Sequence, residues 1–116
     1  MADTKQAERT ISDVTVDGYT FRVDTDLMDD VEAFEYIDRI ENKGQVAAIV
    51  PLLTFMIGRN EYLKMKAYFT EKDITDHANE LIAAEKPADK DYKPRMRLQK
   101  LQDVYLAIVE KFNPKD

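Results

Sequence analysis

The residues of this chain whose chemistry could go beyond packing are its single histidine, His77, and a run of carboxylates. His77 follows Asp76, and a histidine beside a carboxylate can act as a base held by its orienting partner. Neighbours on a helix point about 100° apart, and no serine or cysteine nucleophile is placed beside them. A solvent-exposed histidine is therefore expected. Asp24, Asp26 and Glu35 fit the first, third and twelfth positions of a calcium-binding loop. Met28 and Asp29 stand at its fifth and sixth positions, where a ligand and a glycine are needed. A capped, solvated helix start is the better expectation. Glu32 and Glu35 share a helix face without the signal of a pocket.

No phosphate-cradling loop is present, because the three glycines all stand alone. Tyr92 beside the basic stretch Lys93 to Lys100 is a weak nucleic-acid signal, and a net charge of -6 opposes it. No catalytic residue, cofactor, metal or nucleic acid is expected. Without cysteine there is neither a disulfide framework nor a thiolate metal site. The polar N-terminal stretch carries no apolar signal core, and the longest apolar run is too short to span a bilayer.

The elements that would position these residues centre on that run, Val46 to Ile57, which has no charged residue and is stopped by Gly58. Such a segment is buried on most sides. Pro51 is tolerated only in a first turn, so a short turn over Gln45–Ile49 and a helix from Pro51, or one kinked helix, is expected. Upstream, Asp17-Gly18 is a two-residue hairpin signal that pairs Val16 with Tyr19, Val14 with Phe21 and Ser12 with Val23. Residues 1–10 read as a flexible tail.

Asp29 or Asp30 caps a helix to about Asn42, with Val31, Phe34, Ile37 and Ile40 at roughly helical spacing. Asn60 caps the next, on which Tyr62, Met65 and Phe69 share a face. After a turn at Glu71-Lys72-Asp73, Thr75 caps another with Ala78, Leu81 and Ile82 inward. Residues 86–93 form a linker, and a last helix runs from Pro94 to about Phe112. Its seam of Leu98, Leu101, Tyr105, Ile108 and Phe112 suits lengthwise packing on its own domain or on another chain. The fold class is α+β, mainly α, with an N-terminal β-hairpin and about five helices in one domain, residues 11–116.

Charge is unevenly spread, acidic from Asp13 to Glu41 and basic from Lys86 to Lys100. Such polarity can steer a partner or order self-association, or simply mark two solvated faces.

Several stretches together resemble the tail assembly chaperones of long-tailed phages and prophages, especially those of Gram-positive hosts. They are the hairpin VTVDGYTFRV, the acidic helix start Asp29-Asp30-Val31-Glu32-Ala33-Phe34-Glu35, and the run Leu52 to Gly58. Asn60-Glu61-Tyr62-Leu63-Lys64 and Asp73-Ile74-Thr75 complete the pattern, which spans about Val14 to Glu85. Many members of that family have tryptophan where this chain has Val31. The resemblance implies a non-enzymatic protein of the host cytoplasm, absent from the finished virion. It would coat the helical tape measure protein and help tail tube protein polymerise around it. In many phages a frameshift also yields a longer form. An apolar groove edged by the acidic helix, with Phe34, Tyr36, Tyr62, Met65 and Phe69, is the expected partner-binding surface. Two alternatives stand beside this: a cytoplasmic adaptor or regulator binding one partner through the C-terminal helix, and a structural tail or head-completion protein.

Overall fold

The computed structural model describes residues 11–112; the tail expected over residues 1–10 lies outside the described residues. Strands β1 (Ile11–Val16) and β2 (Tyr19–Asp24) form an antiparallel hairpin. Asp17 and Gly18 both have positive φ, 50° and 90°, the twist that a two-residue turn needs to match the strands. Val16 pairs with Tyr19, Val14 with Phe21 and Ser12 with Val23, so one face carries Val14, Val16, Phe21 and Val23 into the core.

Among the described residues four α-helices follow: α1 (Val31–Glu41), α2 (Ile49–Ile57), α3 (Arg59–Ala83) and α4 (Leu98–Phe112), with 3-10 turns at Thr25–Asp29 and Val46–Ala48. The Asp30 side chain caps α1 by accepting the Glu32 N–H at 2.8 Å. In α2, Pro51 falls in the first turn, where its missing N–H is harmless. Ile49, Leu52, Leu53 and Met56 of α2 are buried at the centre of the molecule. The hairpin lies over it, β2 on α2 and β1 on α4. Leu101, Val104, Tyr105 and Ile108 of α4 close the core. Leu101, Tyr105 and Ile108 of the α4 seam are thus consumed by its own domain, while Leu98 at its start is exposed.

Three expected boundaries move. Gly58, at φ 91° and ψ 152°, ends α2 and also caps α3, its carbonyl accepting the Tyr62 N–H at 3.0 Å; Asn60 lies inside the helix. The turn expected at Glu71-Lys72-Asp73 does not form, so four helices stand where about five were expected. That tripeptide holds no glycine or proline, and polar residues alone do not break a helix. Helix α4 starts at Leu98 rather than Pro94, because the backbone N–H of Arg95 is committed to the Asp73 carboxylate.

A fourth correction concerns α1. Val31 and Phe34 point outward, and Ala33, Ile37 and Ile40 face the core. Positions three apart drift by about 60° per step on a helix of 3.6 residues per turn, so Val31 and Ile40 lie on opposite faces.

Candidate functional site

Helix α3 has 25 residues and spans roughly 37 Å. Its inner stripe advances by four: Met65, Phe69, Asp73, His77, Leu81. The first two lie in the core, with Phe69 edge-on to Tyr19 and beneath the Lys100 ammonium. Beyond Asp73 no residue of α3 is fully buried, and the molecule lengthens to 64 Å against 31 and 30 Å across. This distal half of α3 is an arm.

The chain covers the arm by turning back on it. Helix α3 closes with Glu85 in the left-handed region at φ 57°, the Lys86 N–H reaching the Leu81 carbonyl at 2.9 Å and the Glu85 N–H reaching Ile82 at 3.0 Å. This paired bonding is the Schellman ending, which usually has glycine at the left-handed position. Residues 86–97 then return along α3 as a strap.

Two clusters lock the strap down. Asp73, 6% exposed, accepts from Tyr92 Oη at 2.6 Å, from the Arg95 N–H at 3.1 Å and from Arg97 Nε at 2.9 Å, and Arg97 Nη2 also reaches the Tyr92 hydroxyl at 2.7 Å. Burial pushes the Asp73 pKa up, but these donors outweigh it and hold the carboxyl below its ordinary 3.8. One turn on, the His77 and Tyr92 rings stack at 3.7 Å and 15°, with Asp89 Oδ2 3.3 Å from His77 Nε2. His77 is therefore largely covered, not solvent-exposed, and Asp76 turns away to Lys72.

Between arm and strap lies an apolar groove of about 360 Å³. Ile74, Ala78, Leu81 and Ile82 form one wall, and Ala88, Tyr92 and Pro94 the other. Ala78 and Ile82, expected inward, face this open groove. Such a mostly apolar channel suits side chains of another polypeptide.

The residues expected to bind a partner are not brought together. Met65 and Phe69 are 0% and 3% exposed and belong to the core, so they cannot line a docking groove. Every fourth position of α3 faces inward, and those near its start, Met65 and Phe69, pack in one core with the hairpin and α4. Tyr62 and Tyr36 are half-buried against the same core, Tyr36 donating to Glu32 at 2.9 Å. Phe34 alone stands free, on a separate face. Sequence reading missed Asp73, Tyr92 and Arg97; the signal available was an aspartate on the apolar stripe of α3.

Asp24 caps the first 3-10 turn through the Asp26 N–H, and among the described residues no cluster of three or more His, Asp or Glu is placed to hold a metal ion. No described helix is long and apolar enough to cross a membrane. Comparison with known protein families, curated proteins and solved structures finds no match.

Proposed function

We propose that this protein is a non-enzymatic tail assembly chaperone of a long-tailed phage or prophage. It binds the helical tape measure protein in the host cytoplasm, keeps it soluble, and promotes tail tube polymerisation around it. The stretches from the hairpin to Asp73-Ile74-Thr75 motivate this reading through their resemblance to that family.

The observation that carries it is the solvent-open apolar groove on the α3 arm. A long amphipathic helix presents anchors at i, i+3, i+4 and i+7, and a groove walled by Ile74, Ala78, Leu81 and Ile82 gives those anchors an apolar lining. The two locks fix the strap against α3, which lowers the ordering cost of binding. Leu101, Tyr105 and Ile108, the middle of the α4 seam that an adaptor would need, are buried in the core.

Co-expression with a phage tape measure protein tests the proposal. The wild-type chain should keep that protein in the soluble fraction. An Ile74→Asp, Ile82→Asp variant, altered only at exposed positions, should stay folded by circular dichroism and leave the tape measure protein in the pellet. Full solubilisation by the folded variant would remove the groove from the account.

A further inference from the structure

Val31 and Phe34 stand one turn apart on α1, 71% and 67% exposed. With Met28, Asp29 and Asp30 they line a shallow depression of about 210 Å³, on a face separate from the arm. Core packing does not require them, because Ala33, Ile37 and Ile40 already fill the inner face of α1. Two adjacent large apolar side chains left in water mark a contact surface more often than a single one does.

The surroundings of this pair are acidic. Asp26, Asp29, Glu32 and Glu35 make no ion pair among the described residues, and no lysine or arginine occurs between Arg22 and Arg39. Both flanking cations are engaged, Arg22 with Asp13 at 3.8 Å and Arg39 over the Tyr36 ring at 5.7 Å. Covering Val31 and Phe34 with a neutral or acidic surface would strip water from carboxylates that make no ion pair among the described residues. A basic surface would neutralise them.

We infer that the Val31–Phe34 patch is a second docking site, for a cationic amphipathic helix of another protein, with apolar anchors flanked by lysine or arginine. The assignment does not depend on the groove. The chain's own basic stretch is not that helix: its Tyr92 and Met96 are packed inward, and Arg95 and Arg97 are occupied by Tyr92 and Asp73.

The test titrates the full chain into a fluorescent synthetic helix carrying Leu and Phe on one face and Lys on the other. A matched peptide with Glu for Lys is the control. The Lys peptide should bind, more weakly as salt rises, and the Glu peptide should not. Val31→Ser, Phe34→Ser leaves the net charge unchanged and should weaken binding by about tenfold or more. Asp29→Asn, Glu35→Gln should flatten the salt dependence while Val31 and Phe34 remain. Undiminished binding by the serine variant would mean general attraction of a cation to an acidic chain, and would overturn the site. Equal binding of the Glu peptide would do the same. Self-association of the chain alone in sedimentation, abolished by the serine variant, would give the patch to a second copy and overturn the assigned partner.

Discussion

Tyr92 donates its hydroxyl hydrogen to the buried Asp73 carboxylate at 2.6 Å, joining positions 19 residues apart in the chain. This bond, with those from Arg95 and Arg97, ties the returning strap to the middle of α3. Without it the groove would lose one wall. Asp73→Ala should destabilise the protein by about 2 kcal/mol, because charge-assisted bonds are lost while Arg97 can regain water. Limited trypsin digestion should then cut after Lys90 and Arg95 faster than in the wild type, with denaturant midpoints reporting the energy.

Acid should weaken the same connection. Asp73 is held below 3.8 by its donors despite burial, and Asp17 is held below 3.8 by the Lys100 hydrogen bond at 2.6 Å and by the Lys100 and Lys72 charges, against a smaller opposing effect of burial. A carboxyl whose folded pKa is depressed adds stability that is complete above its unfolded pKa and is lost as pH falls through the folded value. Urea midpoints should therefore be flat down to about pH 4 on account of these two groups and decline below it. Asp73→Asn should start less stable and decline less steeply.

The core prediction separates inside from outside on neighbouring helices. Leu53→Ala, at a fully buried position of α2, should cost about 2–5 kcal/mol. Phe69→Ala should cost about 3–5 kcal/mol for the same reason. Phe34→Ala, on the exposed face of α1, should stay within about 0.5 kcal/mol. Chemical denaturation of the three variants distinguishes them directly.

Glu85 holds a left-handed conformation that L side chains adopt at a penalty of about 1 kcal/mol. Glu85→Gly should remove that penalty and raise the melting temperature if the Schellman ending governs the turn into the strap. Glu85→Ala should not, since alanine meets the same steric clash.

Much of the fold was legible because it rests on local chemistry. Asp17-Gly18 dictates one turn and therefore one register, and Gly58 dictates a break that no side chain could make without strain. The apolar run around Leu53 is buried because it has no polar face to offer water. What was not legible depends on geometry summed over distance. Spacing by three placed Val31 and Phe34 with Ile37 and Ile40, although the drift around the helix carries the first pair to the opposite face. Asp73 looked like a turn residue because its partners, Tyr92 and Arg97, lie beyond the next helix end. The groove needs that return of the chain, so residues 86–93 read as a linker by composition when they are a wall of the candidate site.

The groove between α3 and the strap is the proposed seat of the tape measure protein. Hydrogen–deuterium exchange on the co-expressed complex tests it most directly. Binding should slow exchange over residues 74–94, the arm and its strap, relative to the free chain. Unchanged exchange there, in a complex that nevertheless forms, would contradict it.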